Sequence, residues 1–96
     1  MAEPLSTDEI DQQLNELPGW EYKDDKLTKE FSFDNFRDAM SFITRLSYEA
    51  EEQVHHPEIF NVYNTVEISL STHDAGGKVT EKDIALAKTI ESLHNN

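Results

Sequence analysis

Along this chain the spacing of apolar positions shifts from helical to strand-like and back, and the shifts mark out the elements. Ser6-Thr7-Asp8-Glu9 has the form of a capping box, after which Ile10, Leu14 and Leu17 make a short helical stripe that Pro18-Gly19 stops. Trp20 to Tyr22, a turn at Asp24-Asp25 and the run Leu27 to Phe33 predict a two-stranded hairpin, with Leu27, Lys29, Phe31 and Phe33 on one face. Asp34 is the expected N-cap of a longer helix, in which Phe36, Met40, Ile43, Leu46 or Ser47, and Ala50 recur at helical intervals. Its polar side carries Arg37, Asp38, Ser41, Thr44, Arg45, Tyr48, Glu49 and Glu52, and Pro57 ends it at or before His56. From Val62 the period becomes two: Val62, Asn64, Val66, Ile68 and Leu70 share the face expected to be buried, and Tyr63, Thr65, Glu67, Ser69 and Ser71 share the other. Asp74 to Lys78, containing Gly76-Gly77, breaks the strand, and Thr80-Glu81-Lys82-Asp83 opens a last helix with Ile84, Ala87, Ile90 and Leu93 facing inward.

The resulting order is αββαββα. Three helices in so short a chain cannot cover both faces of an antiparallel sheet, so the predicted fold class is α+β, a two-layer sandwich with a four-stranded antiparallel sheet and three helices on one face. We read residues 1–96 as a single domain. The uncovered face, with Tyr63, Thr65 and Ser69, and at least one unpaired strand edge predict a homo-oligomer, either homodimer or homotetramer.

Composition narrows the function classes. With 96 residues and 36% hydrophobic content the chain can build one modest core. It has no cysteine, which excludes disulfides, thiolate metal sites and cysteine nucleophiles together and suggests a reducing compartment. Twenty acidic residues against eight basic ones give a net charge of −12, and the nearest approach to a basic cluster, Lys23, Lys26 and Lys29, is interleaved with Glu21, Asp24, Asp25 and Glu30. Such a surface repels a phosphate backbone, so no direct nucleic-acid partner is expected. The N-terminus has no basic start or apolar stretch, and no segment approaches the roughly 20 apolar residues of a membrane span, so a soluble cytoplasmic protein without a membrane partner is expected.

The chemically interesting residues fall where elements meet. His55 and His56 stand at the end of the long helix and His73 directly follows the period-two strand, so these three imidazoles could converge. Glu51, Glu58, Asp74 and Asp83 lie at the same junctions, and carboxylates beside imidazoles tune them for proton transfer near pH 7. Each also has a structural alternative: His55 and His56 as a polar helix end favoured by the helix dipole, Glu51 as a solvated helix residue, and Asp83 as the acidic member of a capping arrangement with Thr80. His94, near the C-terminus, is expected to have no specific role. A metal centre is disfavoured, because adjacent histidines rarely aim both rings at one ion and no His-x-x-x-His or Cys-x-x-Cys spacing is present; no metal is expected.

Ala50-Glu51-Glu52-Gln53-Val54-His55-His56-Pro57-Glu58, then Phe60-Asn61-Val62-Tyr63-Asn64 and Val66, Leu70-Ser71-Thr72-His73-Asp74, Asp83 and Leu86-Ala87 together resemble the pterin-4a-carbinolamine dehydratase family, also called 4a-hydroxytetrahydrobiopterin dehydratases. The resemblance is close over the second half, and the order of elements is similar throughout. It implies a lyase that dehydrates 4a-hydroxytetrahydrobiopterin to the quinonoid dihydropterin, recycling tetrahydrobiopterin for aromatic amino-acid hydroxylases, with the pterin as substrate and no cofactor. The family's functional histidines fall on His55, His56 and His73: His55 and His73 for acid–base work, His56 for substrate binding with proton transfer as a further role. Its carboxylates fall on Glu51 and Asp83, and Asp74 beside His73 is a third candidate for binding or orienting the substrate. Animal relatives also serve as dimerisation cofactors for a homeodomain transcription factor, which implies a helical protein partner. Two positions depart from the pattern: Ile59 stands where Trp is common, and the loop from His73 to Asp83 is one residue longer.

Overall fold

A computed structural model of the chain describes residues 2–95. Helix α1 (Thr7–Leu14) leads into strands β1 (Glu21–Lys23) and β2 (Lys26–Ser32), helix α2 (Phe36–Glu52), strands β3 (Glu58–Val62) and β4 (Thr65–Leu70), a single 3-10 turn (His73–Ala75) and helix α3 (Glu81–His94). The sheet runs β1-β2-β4-β3, antiparallel throughout, with Leu27 paired to Leu70 and Phe31 to Val66 at its centre. The predicted αββαββα sandwich is the fold observed. Among the described residues no helix is long and apolar enough to cross a membrane.

Local chemistry accounts for the boundaries. Ser6 and Glu9 exchange the reciprocal bonds of a capping box, and the Ser6 amide, the larger influence, with the Ser6 hydroxyl holds the Glu9 carboxyl below the usual carboxylate range. The β1–β2 turn has Asp24 and Asp25 at φ 53° and 64°, the paired left-handed conformation that suits a two-residue hairpin. Asn35, one residue after the expected Asp34, caps α2 by accepting from the Asp38 amide at 2.8 Å. Gly19 at φ 86° lies where a Cβ would stand 2.9 Å from the Lys29 side chain. That lysine shares the inward face with Leu27 and Phe31, as the strand pattern requires, by running beneath the turn to the Pro18 carbonyl (2.8 Å) and the Glu91 carboxylate (2.7 Å). Glu91 also accepts from Trp20 Nε1 at 2.9 Å, tying the first loop to α3.

The core lies between the sheet and the helices, around Leu27, Phe31, Val66, Ile68 and Leu70 from the strands and Phe42, Leu46, Leu86 and Ile90 from α2 and α3. Burying each such side chain stabilises the fold by about 1.5–3 kcal/mol. Phe42 stacks on Phe31 and Phe33, each with ring centroids at 5.1 Å, and this aromatic contact sets the rotation of α2. Ala39, Phe42, Leu46 and Ala50 therefore form the buried stripe, while Phe36 and Met40, expected inside, lie exposed on its flank. The ring of His94, an exposed residue, meets Phe31 edge-on at 4.8 Å and also contacts Phe33 and Phe42 at the end of the aromatic cluster.

The second hairpin corrects the strand predicted from Val62 onward. A turn at Tyr63-Asn64, with Tyr63 at φ 48°, separates β3 from β4; the Asn64 side-chain amide donates to the Phe33 carbonyl and the Asn64 backbone carbonyl accepts from the Phe33 amide, each at 2.8 Å. Because Val62 pairs with Thr65 across this turn, it faces away from the core with Phe60, and Tyr63 belongs to the turn rather than to a sheet face. The open face thus carries Phe60 and Val62 on the edge strand beside Thr65, Glu67 and Ser69.

Candidate active site

Helix α2 ends in a turn that aims two histidines in different directions. The Val54 amide bonds to the Glu51 carbonyl at 3.1 Å and the His55 amide to the Ala50 carbonyl at 3.0 Å, the paired bonds of a Schellman motif. Val54 occupies its left-handed position at φ 49°, where a β-branched side chain is strained. The reversal drives the His55 side chain back into the protein, 8% exposed, and leaves that of His56 in solvent.

His55 Nε2 lies 2.6 Å from Asp83 Oδ1. Asp83 is fully buried in the first turn of α3, where its other oxygen accepts from the Thr80 amide at 2.8 Å and the Thr72 hydroxyl at 2.9 Å. The capping role foreseen for Asp83 and its role beside a histidine are thus both filled, one by each carboxylate oxygen. Three donors and the positive end of the helix dipole compensate a charge that would otherwise be costly to bury. His56 Nε2 pairs with Glu51 Oε1 at 2.7 Å, with both side chains largely in solvent.

The strand β4 carries the remaining part. Ile68 and Leu70 alternate inward, and Thr72 continues that register at 2% exposure. Its amide bonds to the Lys78 carbonyl at 2.8 Å, which closes the glycine-containing loop and sets the 3-10 turn bearing His73 and Asp74 at the surface. His55, His56, Thr72, His73, Asp74 and Lys82 all line one open cavity of about 280 Å³, with Val54 and Ser71 between them. The predicted convergence of three histidines is therefore seen. Glu51 stands behind His56 rather than on the cavity wall, Asp83 lies beneath it, and Asp74 lines it without a hydrogen bond to any of the histidines. Ile59 is on the edge strand, away from the cavity, and Glu58 pairs with Lys26 at 2.8 Å instead of joining the site.

Sequence reasoning misses Thr72 and Lys82 at the site and finds Thr80 only as a helix cap. The signal for Thr72 was a polar residue in the buried register of a strand, and for Thr80 its position as helix cap. Among the described residues no three His, Asp or Glu side chains gather closely enough to hold a metal ion. The arrangement offers one imidazole on a buried carboxylate, one on an exposed carboxylate and one without a carboxylate partner among the described residues, around a space near the lower limit for small-ligand pockets.

The structure is thus an α+β sandwich whose histidine-lined cavity opens where the end of α2, the end of β4 and the start of α3 meet. Residues 3–93 match the family model for pterin 4 alpha carbinolamine dehydratase, and the chain belongs to that family. A relative from Opitutus terrae that carries the family's name is 51% identical over 89 residues, covering 93% of this chain and 92% of its own length. One from Christiangramia forsetii is 48% identical over 93 residues, covering 97% and 95%. Among solved structures, the chain resembles a transcriptional coactivator/pterin dehydratase from Brucella melitensis, with a TM-score of 0.89 and 36% identity over 94% of this chain and 97% of the other. It also resembles a pterin dehydratase-like protein identified as a RuBisCO assembly factor in the alpha-carboxysome, with a TM-score of 0.62 and 27% identity over 77% and 84%.

Proposed function

We propose that this protein dehydrates 4a-hydroxytetrahydropterins, using histidine side chains as acid and base. The observation that carries the reading is the convergence of His55, His56 and His73 on one cavity, with Asp83 fixed against the innermost ring. In the reaction the C4a–O bond breaks as an acid protonates the departing hydroxyl, and water leaves. The lone pair on N5 forms the new N5=C4a bond, and a base removes the N5 proton to give the quinonoid dihydropterin. One acid and one base suffice, with no change in redox state. His55 and His73 are assigned to these transfers. His56, oriented by Glu51, is assigned to substrate binding, and Asp74 and Lys82, which line the same cavity, are assigned to contacts with polar edges of the pterin. Return of the product to tetrahydropterin by a reductase would make the step part of cofactor recycling for aromatic amino-acid hydroxylases. The cysteine-free sequence suits a reducing, cytoplasmic setting.

We further propose that the protein works as a homo-oligomer. The edge strand β3 exposes Phe60 and Val62 on the open face of the sheet, and α2 exposes Phe36 and Met40, two apolar surfaces that further copies of the chain would cover. Light scattering tests this: a particle of twice or four times 11.0 kDa is expected, and a monomer at micromolar concentration contradicts it. The same α2 surface is where a helical partner would dock, and a fluorescent amphipathic helical peptide titrated against the protein separates that role from self-association.

The activity is tested by following the decay of enzymatically generated 4a-hydroxytetrahydropterin with and without the protein. Acceleration proportional to protein concentration supports the reading, and an unchanged decay rate removes it.

A further inference from the structure

Behind the cavity lies a chain of hydroxyls that a dehydration needing only histidines leaves unexplained. Thr72 Oγ1 and Thr80 Oγ1 are 2.6 Å apart, with both residues buried, and Thr72 Oγ1 is 2.9 Å from Asp83 Oδ2. Thr80 Oγ1 also accepts from the Lys82 amide at 3.2 Å. The Thr80 amide can only donate, so it occupies one site on Asp83 Oδ2 with its own hydrogen. An ionised carboxylate can only accept, so the short Thr72 contact must carry the Thr72 hydrogen. Thr80 then donates its hydroxyl hydrogen to Thr72, and every donor in the chain points toward Asp83. The same argument applied to Oδ1 places a hydrogen on His55 Nε2. Nδ1 pairs with no group among the described residues, and His55 lines the cavity.

We propose that Thr72 is a positioning residue for His55. Together with the Thr80 amide it fixes the rotation of the Asp83 carboxylate, so that Nε2 keeps its hydrogen and Nδ1 is the single ring nitrogen through which His55 exchanges a proton with substrate. Its effect on turnover rests on the dehydratase reading above; its effect on the imidazole does not.

The test is nitrogen NMR on histidine-labelled protein, at a pH where the ring is neutral, with turnover measured in parallel. Wild type is expected to show His55 as the Nε2–H tautomer alone. Thr72→Val, which keeps the side-chain shape and removes the hydroxyl, is expected to add the Nδ1–H tautomer and to lower kcat by about tenfold with KM changed less than about twofold. Thr72→Ser is expected to restore both. A Thr72→Val protein that keeps only the Nε2–H signal overturns the proposal whatever its turnover. So does an Nδ1–H tautomer in wild type, a result that needs no variant to fold. If wild type leaves hydroxypterin decay unchanged, the dehydratase reading fails while the tautomer signals still decide the role of Thr72.

Discussion

His55 and Asp83 stand 28 residues apart in sequence and 2.6 Å apart at the base of the cavity, in a contact almost wholly shielded from water. A buried hydrogen-bond partner is expensive to remove, because the surviving polar groups keep their desolvation and lose their compensation. Asp83→Asn is therefore expected to lower unfolding free energy by about 3 kcal/mol, read from urea denaturation, and to lower turnover with it.

Glu51 and His56 form the contrasting pair, at nearly the same distance but in solvent. Exposed ion pairs are worth at most about 1 kcal/mol, so Glu51→Ala is expected to leave the urea midpoint almost unchanged. Its effect should appear in KM, through a His56 ring no longer held in place. A fall in kcat at constant KM would move His56 from binding to proton transfer.

Val54 is strained where it stands. A β-branched residue at the left-handed C-terminal position of α2 costs about 1–3 kcal/mol of backbone energy, more than the extra chain entropy that glycine would lose on folding. Val54→Gly is expected to raise thermal stability, corresponding to about 1 kcal/mol. A lower melting temperature would mean that the valine side chain makes a contact that outweighs the strain.

The ion pair of Asp25 with Lys78 anchors the first hairpin to the loop that follows the 3-10 turn. Its hydrogen bond and charge hold the Asp25 carboxyl below the usual carboxylate range and the Lys78 ammonium above the usual amine range; Tyr22, raised chiefly by burial and next by Asp25, donates to the same carboxylate. A depressed acid contributes stability that is present above its unfolded pKa and lost as pH falls through its folded one. A raised base contributes below its unfolded pKa and loses it as pH rises through the folded one. Lys78→Met should therefore lower the urea midpoint at neutral pH, and the difference from wild type should shrink at both acidic and strongly alkaline pH. A difference that is constant across the whole range would assign the effect to packing.

The sequence carried most of the fold because its signals were local. Capping boxes at Ser6 and Thr80, the Asp24-Asp25 turn and the inward lysine at position 29 were all legible. The misses arose where tertiary contacts overrule periodicity. Phe42 stacks against Phe31 and Phe33, which turns Phe36 and Met40 outward. Asn64 binds Phe33, which places a turn inside an apparently continuous alternation. At the site, helix and strand ends located the three histidines, but the hydroxyl chain through Thr72 and Thr80 depends on loop closure by the Thr72–Lys78 bridge, which no spacing encodes.

The most direct measurement of the central claim is the initial rate of 4a-hydroxytetrahydropterin dehydration with wild type, His55→Ala and His73→Ala at equal concentration. Wild type should accelerate decay, and each substitution should remove about 100-fold or more of that acceleration, the usual worth of a positioned acid or base. Wild-type turnover in both variants, or no acceleration by wild type at all, would contradict it.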